Sequence, residues 1–442
     1  MKRIALKSLE KWKNRPGHKP MIINGARQVG KTWLMKEHGR ANYKNAAYIL
    51  LESNERMTAL FNGGDLDPKR ILLGLEAETG QKIIPGETLI IFDEIQACPL
   101  ALTSLKYFNE FVPEYDIVAA GSLLGVFLHE GVSFPVGKVD FLDLRPMSFT
   151  EFLNAMGEER LCELLEKRDW ELIKAFKDKF LSHLRLYFYI GGMPEAVKSF
   201  AEKRDFAAVR AIQKKILKSY ENDFSKHVPK TDLQRVVQVW NTIPQQLAKE
   251  NKKFVYSEIQ KGARASQFEL ALEWLIKSGL IHRIPRVSKP AMPLKGYAYT
   301  TGAFKLFMAD VGLMAAMSRV DVRALLEGDA MFTEFKGALT EQFVCQELQL
   351  NDDIDIAYWA NENPASAEID FIIQAGMQII PIEVKSSTNL KAKSLSVYRQ
   401  KFQPKTEIRM STADYKKTDN LYDIPLYAVG GVGEVAFPEA SI

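Results

Sequence analysis

Cysteine is scarce in this chain. Only three of the 442 residues are cysteine, namely Cys98, Cys162 and Cys345. Their number is odd, they lie far apart in the sequence, and their spacing is not that of metal ligands. The sequence therefore excludes a disulfide framework, and we expect buried thiols in a reducing compartment.

Long apolar runs are also missing. No stretch approaches the roughly 20 apolar residues that a membrane-spanning helix needs. The first apolar residues are soon followed by the charged residues Glu10, Lys11, Lys13 and Arg15, so they do not form the core of a signal peptide. We therefore expect a cytoplasmic protein with no membrane partner.

Charge of one sign is not in large excess. The formal net charge is only +4, so overall charge does not argue for a nucleic-acid-binding protein, and any such surface must come from local patches. The hydrophobic content of 46% is ordinary for a globular protein. A chain of this length is expected to form about two to four domains.

What the sequence does contain is a phosphate-loop motif. Residues 25–32 fit the pattern G-x-x-x-x-G-K-S/T, after an apolar run at 21–23 and before helix-forming residues. Its glycines let backbone N–H groups point at phosphate oxygens, Lys31 is expected to reach the β- and γ-phosphates, and Thr32 to ligate Mg²⁺. The predicted ATP-binding residues are Gly25, Ala26, Arg27, Gln28, Val29, Gly30, Lys31, Thr32 and Trp33.

A second motif places two carboxylates after an apolar run. Residues 88–96 read T-L-I-I-F-D-E-I-Q, which is typical of a buried parallel strand whose carboxyl end lies beside a ligand. We expect Asp93 to hold Mg²⁺, directly or through water, and Glu94 to orient or deprotonate the attacking water. The alternative is a pair of acids that caps the following helix.

Further motifs carry a family resemblance. The two motifs above, with G-S-L-L at 121–124, L-R-P-M-S-F-T-E-F at 144–152 and Y-I-G-G-M-P-E-A at 189–196, resemble the archaeal-type AAA ATPase family of bacteria and archaea. The resemblance implies ATP hydrolysis with Mg²⁺ and a homo-oligomer, as a ring or a smaller assembly.

The resemblance also implies roles for three further residues. A polar residue at the end of the central strand contacts the γ-phosphate or its water, and Ser122 stands there, with a helix N-cap as the alternative. Members commonly carry arginine where this chain has Lys138, and a lysine is a poorer trans-acting finger. Arg145 is the other candidate finger, with an ion pair inside its own domain as the alternative.

The middle of the chain predicts a helical and winged-helix region. Residues 198–230 mix basic and acidic side chains, as a solvated helical face does, with nucleic-acid contact as the alternative. Residues 232–300 have the helix–helix–hairpin layout of a winged helix. Glu269 and Glu273 on its recognition helix repel phosphate, so DNA contact would depend on the basic residues around that helix, namely Lys252, Lys253, Lys261 and Arg264.

The C-terminal part predicts a β-hairpin that carries charged residues. Asp370 precedes a turn at 376–377, and Glu383 and Lys385 follow it on one face of the partner strand because side chains alternate. Two carboxylates and a lysine across a hairpin form a Mg²⁺ site with a charged partner for a water nucleophile. The alternative is an exposed hairpin with salt bridges.

With Glu341 on an upstream helix, this pattern resembles the restriction-endonuclease-like PD-(D/E)XK superfamily, to which the C-terminal domain of unknown function of the AAA family is related. The resemblance implies that Asp370 and Glu383 ligate Mg²⁺, that Glu341 supports them, and that Lys385 activates water. Fold does not fix function, so cleavage is a separate hypothesis.

We therefore predict an α/β chain of three parts. These are an AAA-type P-loop ATPase domain with the start of a lid at 1–195, a helical and winged-helix region at 196–325, and a restriction-endonuclease-like α/β domain at 326–442. The favoured function is a DNA-associated ATPase that uses ATP and Mg²⁺. The alternatives are a nucleotide-controlled switch or assembly scaffold without nucleic acid, and an active Mg²⁺-dependent DNA nuclease.

Overall fold

The computed structural model describes most of the chain, namely residues 2–121, 135–249, 252–298, 302–327, 333–361, 367–387 and 393–432. Ser122 lies outside the described residues. The chain divides into a first unit of residues 2–145 with 277–279 and a second unit of residues 146–276 with 280–442.

The first unit is built on a parallel five-stranded sheet. The strand order is β2-β3-β4-β1-β5, and every pairing is parallel. The strands are β1 (Met21–Asn24), β2 (Asn45–Leu50), β3 (Thr88–Asp93), β4 (Ile117–Ala120) and β5 (Asp140–Asp143). The α/β fold with a P-loop-type parallel sheet that the sequence predicted for this region is thus confirmed.

Helices cover this sheet. They are α1 (Ala5–Asn14), α2 (Lys31–Asn42), α3 (Glu55–Asn62), α4 (Pro68–Thr79) and α5 (Pro99–Phe111), with a short 3₁₀ turn at Ile95–Ala97. All six residues of β3 are buried, as expected for a strand that helices cover on both faces. Ile90, Phe92, Leu105 and Phe108 lie in the core between the strands and helices.

The second unit begins with a series of helices. They are α6 (Phe149–Ala155), α7 (Glu159–Lys167), α8 (Trp170–Ala175), α9 (Lys177–Ile190), α10 (Pro194–Lys203), α11 (Phe206–His227), α12 (Lys230–Leu247) and α13 (Ala265–Lys277). Helix α6 begins with the capping box of Ser148 and Glu151 that the sequence indicates. A 3₁₀ turn lies at Tyr256–Glu258.

Within its described residues, the rest of the second unit contains eight strands and five further helices. The strands are β6 (Ile281–Val287), β7 (Phe304–Met308), β8 (Asp355–Ala360), β9 (Glu368–Ala375), β10 (Gln378–Val384), β11 (Glu407–Ser411), β12 (Lys416–Thr418) and β13 (Leu421–Pro425). The helices are α14 (Leu294–Tyr297), α15 (Val311–Met317), α16 (Val322–Glu327), α17 (Thr333–Leu348) and α18 (Lys393–Phe402), and a 3₁₀ helix spans Leu426–Gly431.

All eight strands form one mixed sheet. Its order is β12-β13-β11-β10-β9-β8-β6-β7. The predicted hairpin of β9 and β10 is antiparallel, and its turn lies at Gly376 and Met377. One layer of its core holds Val287, Trp359, Ile369 and Tyr398.

The sheet crosses the boundary that we placed at 325/326. Strands β6 and β7 pair in antiparallel fashion, but β6 also pairs in parallel with β8, with Arg286 opposite Tyr358 and Val287 opposite Trp359. The middle and C-terminal parts therefore share one sheet, and both lie in the second unit. The three-domain division and the winged-helix assignment stay predictions.

Strand β7 is an edge strand whose outer backbone is covered by side chains. The Gln342 side chain accepts a hydrogen bond from the Met308 N–H at 2.8 Å and donates one to the Met308 carbonyl at 2.6 Å. Gln346 accepts the Val311 N–H at 2.8 Å. The Gln342 contacts fix α17 against β7 and pair backbone groups of Met308 that an uncovered edge would expose, whereas the Gln346 contact holds α17 against the start of α15 (Val311–Met317).

Helices able to cross a membrane are absent from the part of the chain that the structure describes, because none is both long and apolar enough.

Candidate functional site

The phosphate loop connects β1 to α2 in the first unit, in the strand–loop–helix arrangement that the motif requires. Gly30 precedes α2 with φ +97° and Gly25 has φ +147°, conformations that side-chain-bearing residues rarely adopt. A Cβ atom on Gly25 would collide with the carbonyl oxygen of Leu144. Within the loop Gln28 also has a positive φ, of 67°.

Lys31 is buried beside this loop. It is 8% exposed, and its ammonium donates hydrogen bonds to the carbonyl oxygens of Gly25 at 2.8 Å and Ala26 at 2.9 Å. Burial lowers the pKa of Lys31 to about 8, although the carboxylates of Glu94 and Asp93 act in the opposite direction. The ammonium therefore lies at the loop whose N–H groups are expected to bind phosphate.

Thr32 and Asp93 meet where α2 begins and β3 ends. The Thr32 hydroxyl donates a hydrogen bond to Asp93 Oδ2 at 2.7 Å, and the Tyr48 hydroxyl donates to the same oxygen at 3.0 Å. Burial and then the charge of Asp93 raise the pKa of Tyr48 to about 12, which keeps this phenol a donor. No motif in the sequence marks Tyr48, which comes from the neighbouring strand β2.

Glu94 takes an unusual backbone conformation directly after β3. Its φ and ψ are +52° and +48°, and its N–H donates to Asp93 Oδ1 at 3.1 Å. The Gln96 side chain donates a hydrogen bond to Glu94 Oε2. Glu94 precedes the 3₁₀ turn without a side-chain cap bond, so the capping alternative for this residue is not what the structure shows.

Two further predicted positions lie at the surface of the first unit. Trp33 is 41% exposed, next to Thr32 in α2. Lys138, the position where an arginine finger was considered, forms an ion pair with Glu110 at 3.0 Å. Arg27 is half-buried and contributes positive charge near Lys31.

Arg3 is a residue of this site that the sequence analysis missed. It is 7% exposed, and its guanidinium donates hydrogen bonds to the carbonyl oxygen of Val29 at 2.8 Å and to that of Arg145 at 2.6 Å. It thereby connects the phosphate loop to the end of the first unit. No local motif marks it, because its partners are 26 and 142 residues away.

The residues present fit ATP with Mg²⁺. Gly25 leaves no room for a side chain, the Thr32 hydroxyl and the Asp93 carboxylate supply hard oxygen ligands, and the buried Asn24 Oδ1 has no hydrogen-bond partner. Mg²⁺ prefers one or two such protein ligands together with water and phosphate oxygens.

The second predicted site lies in the second unit. Glu341 is on α17, Asp370 on β9 and Glu383 on β10, and all three are buried or half-buried. Asp370 Oδ2 accepts the Val384 N–H at 2.8 Å, and Lys385 forms an ion pair with Glu383 Oε1 at 2.6 Å. Burial, then Glu341 and Glu383, raise the pKa of Asp370 well above its usual value.

Two lysines that the sequence analysis did not assign to this site enter the cluster. Lys252, which follows α12, forms an ion pair with Glu341 Oε1. Lys305 on β7 forms an ion pair with Glu368 Oε1 at 2.6 Å and lies 3.7 Å from Glu341 Oε2. Burial acts to raise the pKa of Glu341, but the charges of Lys252 and Lys305 outweigh it and hold this pKa below its usual value.

This arrangement does not fit a Mg²⁺ ion. Across the described ranges, no group of three or more histidine, cysteine, aspartate or glutamate side chains is placed to hold a metal ion. The carboxylates predicted as ligands face ammonium groups and a backbone N–H, while Glu341 Oε2 and Glu383 Oε2 are buried without a hydrogen-bond partner. We therefore derive no reaction step through a metal at this cluster.

Comparisons with known proteins bear on the first unit most directly. Residues 17–153 match the family model of an AAA domain. This stretch is therefore similar to an AAA domain. The match supports an AAA-type P-loop ATPase, as the sequence resemblance implied, and does not concern DNA or nuclease activity.

The remainder of the chain matches models without an assigned function. Residues 181–324 match a domain of unknown function, DUF8612, and residues 336–429 match a domain of unknown function, DUF4143. Among curated proteins, none matches this chain.

Several solved structures are weakly similar to the chain. The Walker-type ATPase of Pyrococcus abyssi is 13% identical with a TM-score of 0.40, over 71% of this chain and 94% of that one. Cdc6p from Pyrobaculum aerophilum is 10% identical with a TM-score of 0.26, over 73% and 93%. The Pif1 helicase from Candida albicans is 14% identical with a TM-score of 0.21, over 37% and 41%. With TM-scores below 0.5, none of these similarities bears on what this chain does.

Proposed function

We propose that the chain binds ATP and hydrolyses it with Mg²⁺ at the phosphate loop of its AAA domain. The hydrogen bond between Thr32 and Asp93 carries this proposal. It joins a loop hydroxyl to the acid at the end of β3, and these are the two oxygen groups that hold Mg²⁺ in phosphate-loop enzymes.

Each residue has a role that its position supports. The Lys31 ammonium binds phosphate oxygens, and a pKa of about 8 keeps most of it charged at neutral pH. Thr32 and Asp93 hold Mg²⁺, which when bound neutralises charge on the phosphate oxygens. Glu94 orients the attacking water and accepts its proton, and Ser122 is proposed to contact the γ-phosphate.

ATP turnover by the full chain and by two variants tests this proposal. Lys31→Ala should abolish hydrolysis and weaken ATP binding, whereas Glu94→Gln should bind ATP and leave it uncleaved. Lys69→Ala is the control, because Lys69 is an exposed lysine of the same unit. Turnover by Lys31→Ala at the unmodified rate would show that the site is assigned wrongly.

As a second candidate function we propose that the chain is a nucleotide-controlled switch or assembly scaffold without nucleic acid, in preference to a nuclease. The observation that weighs against the nuclease alternative is the pairing of Glu341 with Lys252. This ion pair engages Glu341 Oε1, one oxygen of the acid that was expected to support a metal.

Association with DNA stays a proposal that rests on the winged-helix layout and the basic residues around it. Glu269, which was expected to repel phosphate, forms an ion pair with Arg283 at 2.8 Å. Gel shifts at several salt concentrations decide, because binding through phosphate contacts weakens steeply as salt rises. If DNA neither changes ATP turnover nor gives a gel shift, and mass photometry detects ATP-dependent oligomers, the results support the scaffold and contradict DNA association.

A further inference from the structure

The carboxylate cluster of the second unit draws its positive charges from another part of the chain. Its acids come from α17, β9 and β10, all of which lie at or after residue 333 in the chain. Lys252 and Lys305 come from the preceding region, and β7 carries Lys305 into the shared sheet. Two regions that match separate family models thus build one centre.

Lys305 is held where water cannot solvate it. Its side chain has no exposed surface, and all five residues of β7 are buried. A buried ammonium is stable only beside opposite charge, and its partners are Glu368 at 2.6 Å and Glu341 at 3.7 Å. Lys305 can therefore occupy this buried strand only because the carboxylates lie beside its ammonium group.

The ammonium groups also lie beside carboxylate oxygens that a metal would need. Glu341 faces Lys252 with Oε1 and Lys305 with Oε2, and Glu383 faces Lys385 with Oε1. Mg²⁺ demands six oxygen ligands in a nearly octahedral arrangement and repels nearby ammonium groups. Three lysines already offset most of the charge of four acids, namely Glu341, Glu368, Asp370 and Glu383.

We propose that Lys305, assisted by Lys252, is the internal cation of this carboxylate cluster and stands in place of a divalent metal. The cluster is then an ionic centre that joins β7 to α17, β9 and β10, and the second unit is a metal-independent module. This inference goes beyond ATP hydrolysis and does not depend on it.

Metal binding by the intact chain tests the proposal first. Mn²⁺ is titrated, with EPR detection of the free ion, into nucleotide-free protein carrying Asp93→Asn, which removes the metal ligand of the AAA domain. We expect this protein to bind no more Mn²⁺ than the Asp93→Asn, Asp370→Asn double variant. A Mn²⁺ ion that is bound per chain and lost on Asp370→Asn would overturn the proposal.

Thermal unfolding provides a second measurement. Lys305→Met should lower Tm by roughly 5 to 10 °C, because it leaves buried carboxylates without a counter-charge. The matched control Lys289→Met changes an exposed lysine of the same unit and should leave Tm nearly unchanged. Mg²⁺ should not raise the Tm of the Asp93→Asn protein, and a rise of several degrees that Asp370→Asn removes would contradict the proposal.

A charge-compensating pair addresses the case in which Lys305→Met alone does not fold. Glu368→Gln removes the nearest negative charge, so the double variant Lys305→Met, Glu368→Gln should unfold at a higher temperature than Lys305→Met, or fold where the single variant does not. If Lys305→Met lowers Tm by the same amount in the unmodified chain and in the Glu368→Gln variant, Lys305 contributes only packing. The Mn²⁺ titration needs no substitution of Lys305, so it decides independently.

Discussion

The Thr32 hydroxyl donates a hydrogen bond of 2.7 Å to Asp93 Oδ2, across 61 residues of sequence. Parallel pairing places the carboxyl end of β3 beside the phosphate loop, since both adjoin the same edge of the sheet. The contact aligns the two predicted Mg²⁺ ligands without the help of a nucleotide.

Substitution of Thr32 tests this alignment. Thr32→Val keeps the shape of the side chain but removes the hydroxyl, so ATP turnover should fall by roughly 100-fold, the scale seen when one preorganised polar group is lost. Thr32→Ser retains the hydroxyl and is the control, with turnover within about a few-fold of the unmodified chain. Steady-state kinetics at several Mg²⁺ concentrations measures both, and equal activity of the two variants would refute a ligand role.

Arg3 is predicted to position the phosphate loop without contacting ATP. Arg3→Met removes the donors to the carbonyl oxygens of Val29 and Arg145, and leaving such buried groups unpaired costs about 1–3 kcal/mol. We expect a lower Tm and a raised KM for ATP, with a smaller change in kcat. Lys7→Met on the exposed face of α1 is the control. A variant with lower Tm but unchanged KM would show that Arg3 has only a structural role.

Gly25 is predicted to tolerate no side chain. In Gly25→Ala the new Cβ meets the Leu144 carbonyl oxygen and lies 3.2 Å from Val29 Cγ2, at a φ that alanine rarely adopts. Loop displacement should weaken ATP binding by at least about tenfold, and strain of this kind costs about 1–3 kcal/mol. Gly17→Ala shares the positive φ but meets no atom within 4 Å, so it reports the backbone effect alone. Equal ATP affinity in both variants would contradict the steric argument.

Glu347 is predicted to make stability depend on pH. Burial raises its pKa from 4.5 to about 8, with Glu151 adding to the shift and the hydrogen bond from the Phe149 N–H opposing it. Between these values the folded chain holds a proton that the unfolded chain has lost. The stabilisation is therefore complete below pH 4.5 and is lost as the pH rises towards 8, by up to about 1.4 kcal/mol per pH unit.

Glu347→Gln removes this titration and keeps an oxygen that accepts the Phe149 N–H. Denaturant unfolding between pH 5 and pH 8 should then show a shallower decline than in the unmodified chain, and the variant should gain most at pH 8. Glu166→Gln on the exposed face of α7 is the control. Parallel pH profiles for the unmodified chain and Glu347→Gln would show that Glu347 is ionised in the fold.

The elements that the sequence predicted well depend on local patterns. The phosphate loop and the apolar run before Asp93 specify backbone conformations through residues that are adjacent in the chain, and the turn at Gly376 specifies a hairpin in the same way. The PD-(D/E)XK-like residues are also recognisable by spacing. Spacing does not reveal which cations lie nearby. The sequence therefore predicted a metal at these acids, because it does not show that Lys305 lies beside them.

The sequence by itself determined the nucleotide-binding motif, its lysine and its two acids, because each belongs to a short pattern with a fixed chemical purpose. Only the tertiary structure decided that Arg3 binds the carbonyl oxygen of Val29 and that β6 extends the sheet of β8. It also decided that Lys252 meets Glu341, 89 residues away. Such contacts depend on burial and strand pairing between distant segments, where a charge must find its partner once water is excluded.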